Sequence, residues 1–295
     1  MDPARFVLED TLRSFLAEDL GYGDITTEAL IDPRIMANGY VVCNEPAIMA
    51  GLEEAKVLLK HVGCIGSPNV SDGERVAQGT KILSINGPAA AILTIERTLL
   101  NLLTHMSGVA TATAELVAIA KKSKSTVRIA CTRKTLPGLR YFEKRAVELG
   151  GGDTHRLRLD DAVLIKDNHL KIARSVAESV RKTRSKVSFT KKVEVEVTEP
   201  SQAVEAAEAG ADIVLLDNMR PEQVKKTVAL LEAKKLRTQV LLEASGGITR
   251  ENLPSYAKTG VDVISVGRIT HSAKSIDMRM EITPAARSKR DPVWK

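Results

Sequence analysis

The sequence predicts an α/β fold whose C-terminal half is a closed or nearly closed barrel of parallel strands. From about Thr126 onward, short β-rich runs alternate with helical stretches. Regular alternation of apolar strands with helices implies a parallel sheet covered by helices. Aromatic residues make up only 3% of the 295 residues, so the core must rest on Leu, Val, Ile and Ala, which favours a repetitive α/β architecture.

Six repeats of strand and helix are clear, and a seventh is weaker. The expected strands are Val127–Cys131, Ala162–Ile165, Val193–Val197, Ile213–Leu216, Val240–Leu242 and Val263–Val266. The expected helices are Leu139–Leu149, Leu170–Lys182, Pro200–Ala209, Pro221–Lys234 and Arg250–Lys258. An open, doubly wound sheet is the alternative to a barrel.

The first half of the chain predicts a mixture of helices and strands. The expected elements are a helix over Leu8–Leu20, a strand over Gly39–Asn44, a helix over Leu52–Val62, a β-hairpin over Ser71–Ile85 and a long helix over Ala89–Met106. The long helix carries Arg97, Asn101 and His105 on one face. Because so apolar a helix leaves few faces for water, we expect this stripe at a subunit interface or an active-site wall.

Composition excludes several classes of protein. Lys+Arg 43 against Asp+Glu 37 gives a net charge of +6, an excess that fits either an ordinary surface or an anion site. No basic stripe is interleaved with aromatics, which argues against nucleic acid. Three cysteines without a CxxC pair fit a reducing compartment. No apolar run approaches the ~20 residues of a membrane span, so we expect a cytoplasmic protein with no membrane partner.

Charged, polar or glycine residues follow every predicted strand of the second half. Catalytic groups of α/β barrels stand at the carboxyl ends of the strands. The segments at these ends are Thr132-Arg133-Lys134, Lys166-Asp167-Asn168-His169, Glu196, Asp217-Asn218, Glu243 to Gly247, and Ser265 to Arg268. We therefore expect one functional site at this edge of the sheet.

Five cationic side chains fall in two adjacent loops of this edge. They are Arg133, Lys134, His155, Arg156 and Lys166. Arginine binds both oxygens of a carboxylate, and lysine supplies a compact charge for phosphate. Such clustering is costly unless a highly charged anion lies among the cations, so the sequence predicts an anionic substrate.

Glu196 and Asp217 form a second, acidic group on neighbouring strands. They could accept hydrogen bonds from sugar hydroxyls, orient Mg²⁺ and its waters, or pair internally with Lys134 or Lys166. The sequence does not identify direct metal ligands.

Two glycine loops follow the last two strands. They are EASGGIT, which contains Ser245, Gly246 and Gly247, and SVGRIT, which contains Val266, Gly267 and Arg268. Bare backbone amides bind phosphate well, and phosphate sites after the last two strands are frequent in this fold. Lysines near strand ends also raise Schiff-base chemistry as a rival, although a site rich in charges does not obviously depress a lysine pKa.

Taken together, these motifs resemble the quinolinate phosphoribosyltransferase family, whose members are nicotinate-nucleotide pyrophosphorylases (carboxylating). The resemblance runs from about Glu9 to Met280. Its motifs are EDLGYGDITTEALI, ERTLLNLLTHMSGVAT, TRKTLPGLR, GGGDTHR, LIKDNH, VEVEV, VLLDN, EASGGIT and VGRITHS. The basic tail Pro284–Lys295 lies outside the pattern.

The resemblance implies a fold and a reaction. It implies an N-terminal α/β sandwich domain, residues 1–107 joined by 273–295, and an incomplete, seven-stranded α/β barrel, residues 108–272. The reaction implied is phosphoribosyl transfer from phosphoribosyl pyrophosphate to quinolinate with Mg²⁺. Its products are nicotinate mononucleotide, pyrophosphate and CO₂, in de novo NAD biosynthesis. Homo-oligomers, dimers or hexamers, with shared active sites are also implied.

The resemblance also implies roles for single residues. Arg97, reaching across the subunit interface, and Thr132, Arg133, His155, Arg156 and Lys166 would bind quinolinate. Lys134, Glu196, Asp217, Ser245–Gly247 and Val266–Arg268 would bind phosphoribosyl pyrophosphate. Lys134, Lys166, Glu196 and Asp217 would be catalytic. The alternatives are a related barrel-class transferase acting on another base and a non-catalytic phosphosugar-binding protein.

Overall fold

A computed structural model describes residues 3–123 and 125–285, with side chains from Leu8 onward. The chain divides into two compact units, Met1–Thr111 with Lys274–Lys295, and Ala112–Ala273. Residues 286–295 of the predicted C-terminal segment lie outside the described residues.

Helices and strands alternate along most of the chain. The helices are α1 Pro3–Leu20, α2 Ile25–Leu30, α3 Leu52–His61, α4 Ala89–Lys122, α5 Arg140–Leu149, α6 Asp167–Ala173, α7 Val176–Arg184, α8 Pro200–Glu208, α9 Pro221–Ala233, α10 Leu253–Ala257 and α11 Arg268–His271. The strands are β1 Met36–Cys43, β2 Ala47–Ile48, β3 Ile65–Pro68, β4 Arg75–Val76, β5 Lys81–Pro88, β6 Arg128–Ala130, β7 Val163–Ile165, β8 Val193–Val197, β9 Ile213–Asp217, β10 Leu241–Ser245, β11 Val263–Ser265 and β12 Met278–Pro284.

The N-terminal unit is an α/β sandwich, as predicted. Its sheet has the order β12-β1-β5-β3, and every neighbouring pair is antiparallel. Helix α3 packs against β3 and α1. The start of α4 packs closely on the sheet, because a Cβ on Gly39 would lie 3.4 Å from Ile92 Cγ2.

The predicted hairpin over Ser71–Ile85 is wrong. Strand β4 pairs with β2, whereas β5 pairs with β1 and β3. The Asp-Gly pair that suggested a hairpin turn instead serves a helix, because Asp72 Oδ1 accepts a hydrogen bond of 3.0 Å from the Leu52 backbone N–H. Asp72 therefore satisfies a free N–H at the start of α3, a long-range contact that local turn statistics do not reveal.

Helix α4 is longer than predicted and extends to Lys122. Gly108 lies within it, and a Cβ there would lie 2.2 Å from the Lys274 carbonyl oxygen, so glycine permits a close backbone approach rather than ending the helix. By length and composition α4 could cross a membrane, a test that the core helix of a soluble protein also passes, and half of its most apolar window is buried inside the structure.

The C-terminal unit is an incomplete α/β barrel of parallel strands. Its sheet has the order β6-β11-β10-β9-β8-β7, so the first strand of the unit, β6, pairs with the last, β11. The seventh strand that we expected is reduced to one isolated parallel bridge between Ala130 and Asp153. It follows Gly150, Gly151 and Gly152, which supply no side chain to pack in a strand.

Two helices of this unit differ from the prediction. The helix expected over Leu170–Lys182 is interrupted at Arg174, whose φ of 65° ends α6 before Ser175 caps α7. Helix α10 begins at Leu253 rather than Arg250, so a loop separates the Gly246-Gly247 pair from it.

Candidate active site

A cavity of about 440 Å³ lies at the carboxyl ends of the barrel strands. It is lined by Thr132, Arg133, Lys134, His155, Arg156, Leu164, Lys166, Glu196, Leu215, Asp217, Asn218, Glu243, Ser245, Gly246, Gly247 and Ser265. The parallel register places Ser245 beside Asp217 and Glu196 beside Leu215. The edge that the strand-end residues predicted is therefore one continuous site.

The site contains four basic side chains without an acidic partner. Among the described residues, no carboxylate oxygen lies within 4 Å of the charged nitrogens of Arg133, Lys134, Arg156 or Lys166. The Nε of Arg133 is also buried without a hydrogen-bond partner. Burial lowers the pKa of Arg156, and Arg133 nearby lowers it further by repulsion. Uncompensated positive charge in a cavity indicates an anionic ligand.

Glu196 and Asp217 face the same cavity from neighbouring strands. Burial raises the pKa of Glu196, and the negative charge of Asp217 raises it further. Neither carboxylate forms the internal ion pair with Lys134 or Lys166 that the sequence left open, within the part of the chain that the structure describes. The pair is thus available to accept hydrogen bonds or to attract a cation.

The first glycine loop is shaped by contact with Asn218. Gly246 has a φ of 92°, and a Cβ there would lie 2.3 Å from Asn218 Oδ1. Asn218 itself has a φ of 54°, its backbone N–H donates to the Ser245 carbonyl at 2.9 Å, and its amide donates to Asp217 Oδ2 at 2.6 Å. The loop that carries Ser245–Gly247 is therefore tied to the end of β9.

The second glycine loop contacts Lys134, and its first residue, Ser265, lines the cavity, whereas Val266, Gly267 and Arg268 are not among the lining residues. A Cβ on Gly267 would lie 3.0 Å from Lys134 Cδ, and Thr270 Oγ1 donates to the Lys134 carbonyl at 2.6 Å. Val266 is buried and Arg268 is exposed. Arg97 belongs to the other compact unit, where it is exposed on α4.

His155 is held by two buried carboxylates. Its Nε2 lies 3.2 Å from Glu243 Oε2 and 3.6 Å from Glu194 Oε2. Burial alone would lower the pKa of His155, but the hydrogen bonds to these carboxylates outweigh burial and raise the pKa to about 10. In the neutral ring, Nδ1 accepts a hydrogen bond of 2.7 Å from the Arg156 backbone N–H. Both ring nitrogens are therefore already engaged.

Sequence reasoning did not single out Lys144 or Glu194, and it placed Glu243 at a strand end without giving it a role. Lys144 is 2% exposed and donates to the carbonyls of Thr154 and Arg156. Period-2 alternation in VEVEV places Glu194 on the same face as Glu196, which is a signal that could have found it. For Lys144 the sequence holds no such signal, because its partners are backbone atoms of a distant loop.

Models of one family match nearly the whole chain. The quinolinate phosphoribosyl transferase N-terminal domain matches residues 24–107, and the C-terminal domain of the same family matches residues 109–281. A probable nicotinate-nucleotide pyrophosphorylase [carboxylating] from Methanothermobacter thermautotrophicus is 49% identical over 273 residues, which is 92% of this chain and 98% of the relative. The human nicotinate-nucleotide pyrophosphorylase [carboxylating] is 39% identical over 269 residues, 91% and 89% of the two chains.

Solved structures agree with the sequence comparisons. NadC from Streptococcus pyogenes has a TM-score of 0.90 at 35% identity, and the match covers 97% of this chain and all of that one. Since the family models cover both units and the relatives align over nine-tenths of the chain, the protein belongs to the quinolinate phosphoribosyl transferase family.

Proposed function

We propose that this chain transfers a phosphoribosyl group from phosphoribosyl pyrophosphate to quinolinate and releases nicotinate mononucleotide, pyrophosphate and CO₂. The observation that carries the proposal is the set of four unpaired basic side chains around a cavity that also holds Glu196 and Asp217. A dicarboxylate and a sugar with several phosphates together supply the negative charge that these cations lack. Relatives of the chain carry the name of this activity.

Quinolinate would bind where Arg133, Arg156 and Lys166 converge. A guanidinium can hold both oxygens of one carboxylate, which fixes the plane of the ring. Thr132 is close by, with its hydroxyl accepting a hydrogen bond of 3.0 Å from the Lys134 backbone N–H. His155 supports this face of the cavity, but its ring nitrogens are used by protein groups.

Phosphoribosyl pyrophosphate would occupy the other side of the cavity. Glu196 and Asp217 would accept hydrogen bonds from the ribose hydroxyls, and Lys134 would contact the pyrophosphate. The backbone of Ser245, Gly246 and Gly247 would receive the 5′-phosphate, because glycine lets an anion approach the main chain closely. Val266, Gly267 and Arg268 would border this phosphate site, because Gly267 packs against the Lys134 side chain.

The residues present fit a hydrated Mg²⁺. Burial raises the pKa of Glu196, and the negative charge of Asp217 raises it further, so a divalent cation would relieve both effects. Carboxylate oxygens are the protein ligands that Mg²⁺ prefers, and it usually retains several waters. We therefore propose that Glu196 and Asp217 hold the ion through water. When bound, it would neutralise charge on the pyrophosphate.

The chemistry follows from positioning and electrostatics. The basic side chains hold quinolinate so that its ring nitrogen faces the anomeric carbon of the sugar. The nitrogen forms the new bond as the bond to pyrophosphate breaks, and Lys134 stabilises the departing negative charge. The positive charge gained by the ring nitrogen then eases loss of the 2-carboxylate as CO₂, and the electron pair left on C2 takes up a proton from water. No covalent lysine intermediate is required.

We also propose a cytoplasmic homo-oligomer in which the partner subunit's Arg97 completes the quinolinate site. Arg97 is exposed on α4 and is therefore free to reach a neighbouring subunit, which supports this assignment. Cys43, Cys64 and Cys131 are free buried thiols, which fits a reducing compartment.

The deciding test combines purified protein with quinolinate, phosphoribosyl pyrophosphate and Mg²⁺ and follows nicotinate mononucleotide by chromatography. Nicotinate replaces quinolinate in a parallel reaction. We expect product from quinolinate alone. Product from nicotinate alone would indicate a transferase for another base, and binding of phosphoribosyl pyrophosphate without turnover would indicate a non-catalytic binding protein.

A further inference from the structure

The Asp153–Arg156 segment, which carries Arg156 into the cavity, has few backbone hydrogen bonds to neighbouring strands. It replaces a seventh barrel strand with the single bridge at Asp153, so it has almost no ladder of hydrogen bonds to neighbouring strands. His155 adopts a φ of 52°, a left-handed conformation that is unfavourable for a residue with a Cβ. Other groups must therefore hold this segment in place.

Lys144 holds the segment from the helix side. Its Nζ donates to the Thr154 carbonyl and, at 3.0 Å, to the Arg156 carbonyl. Lys144 therefore joins the carbonyl groups of the two residues that flank His155. The lysine is almost fully buried on α5. A buried ammonium is costly unless its hydrogens are bonded, so these two carbonyls are the reason that a lysine can occupy this position.

Two carboxylates hold the same segment from inside the barrel. Glu243 on β10 and Glu194 on β8 are 2% and 1% exposed, and both face Nε2 of His155. In the neutral ring the Arg156 N–H donates to Nδ1, so the ring hydrogen lies on Nε2, and in the charged ring both nitrogens bear a hydrogen. Nε2 therefore carries a hydrogen toward the two carboxylates in either state, and the ring ties the Asp153–Arg156 segment to β8 and β10.

The same hydrogen argues against a metal at this cluster. His155, Glu194 and Glu243 have ligand atoms within 4.8 Å of one another, close enough for an ion. A metal-binding imidazole offers a lone pair to the ion and donates its other N–H to a neighbour. Here Nε2, the nitrogen that faces the two carboxylates, bears a hydrogen in the neutral and in the charged ring, so it has no lone pair to offer.

Glu194 adds an electrostatic contribution toward Arg156. Its Oε1 is buried and has no hydrogen-bond partner among the described residues. Burial raises the pKa of Glu194, whereas His155 and Arg156 nearby lower it. In its charged form the carboxylate attracts the Arg156 guanidinium, which Arg133 repels.

We propose that Lys144, Glu194 and Glu243 are positioning residues that act through the Asp153–Arg156 segment to place Arg156 for the carboxylates of the acceptor. In this assignment His155 is the link of the network and not a ligand of the substrate. The inference rests on the proposed function for the identity of that acceptor. The positioning of Arg156 by these three residues does not depend on which acceptor binds.

The test compares Lys144→Met and Glu243→Gln with a matched control, Lys226→Met, at an exposed lysine of α9. We expect the first two variants to raise the quinolinate KM by about tenfold or more, with a much smaller change in the phosphoribosyl pyrophosphate KM. A purely structural role would instead lower Tm and the active fraction while leaving both KM values unchanged, and that result would overturn the proposal. Lys226→Met should match the wild type.

A second measurement needs no substrate. Hydrogen exchange of backbone amides in residues 150–157 should accelerate in Lys144→Met and Glu243→Gln relative to the wild type and the control. Unchanged exchange would overturn the proposal, and so would a stoichiometric metal in the wild type that Glu243→Gln loses. A wild type without quinolinate turnover would reject the proposed function, yet exchange would still decide the positioning role. Glu243→Gln keeps an oxygen that can accept the Nε2–H hydrogen bond, so we expect this variant to fold. If Lys144→Met does not fold, Glu243→Gln alone tests the positioning role.

Discussion

The backbone nitrogen of Asn218 lies next to the position that a Cβ atom on Gly246 would occupy. A Cβ at position 246 would approach that nitrogen to 2.8 Å and the Asn218 side-chain oxygen to 2.3 Å. The end of β9 and the loop after β10 are thereby packed main chain to main chain. This contact sets the shape of the proposed 5′-phosphate site.

Gly246→Ala should therefore destabilise the protein by about 1–3 kcal/mol and weaken phosphoribosyl pyrophosphate binding. Both the positive φ and the clash contribute. Gly79→Ala is the matched control, because Gly79 has a φ of 83° but open space around it. Thermal or denaturant unfolding of the two variants measures the difference. Equal losses of stability would show that the contact with Asn218 is unimportant.

Arg133→Ala should raise the quinolinate KM about 10- to 100-fold, because a charge-assisted contact is worth about 1.5–3 kcal/mol. Arg133→Lys should recover only part of this loss, since it restores the charge without the planar fork. Steady-state kinetics at saturating phosphoribosyl pyrophosphate would provide the values. An unchanged KM would remove Arg133 from the substrate pocket.

The raised pKa of His155 predicts a pH-dependent contribution to stability. A histidine whose folded pKa is about 10, against about 6.5 unfolded, contributes stability that is fully present below pH 6.5 and is lost as pH rises toward 10. We expect the Tm gap between wild type and His155→Gln to shrink steadily from pH 6.5 to 10. A constant gap would mean that the ring is already neutral at pH 7.

Chelation of divalent cations should abolish turnover without unfolding the protein. Glu196 and Asp217 would hold Mg²⁺ only together with substrate and water, and the barrel would not depend on the ion. Turnover with EDTA should be lost and should return with added Mg²⁺, while Tm without substrate stays the same. A fall in Tm on chelation would instead reveal a resident structural metal.

Shared active sites predict complementation between two inactive variants. Arg97→Ala and Lys166→Ala should each be nearly inactive alone. Co-expressed subunits that pair at random should recover about a quarter of wild-type activity, because half the dimers are mixed and each mixed dimer has one intact site. Assay of the purified mixture gives the recovery. No recovery, with mixed oligomers present by mass spectrometry, would place each site within one subunit.

The sequence alone determined much of the C-terminal unit. Apolar strands in regular alternation with helices specify a parallel sheet, and the residues after each strand must then meet at one edge. That reasoning predicted that Arg133, Lys166, Glu196, Asp217 and Gly246 share one site, and all five line the same cavity. The motifs that carry the family resemblance are local in the chain, so they too can be read from the sequence.

Only the tertiary structure decided which groups neutralise or support one another. The pairing of β4 with β2, the helix cap supplied by Asp72 and the single bridge at Asp153 each depend on residues distant in sequence. Burial and distance made Glu194 and Glu243 partners of His155, and made Lys144 a support for a backbone turn. Local patterns fix which way a side chain faces along its own strand or helix. The charge that it meets across the barrel is fixed only when the chain folds.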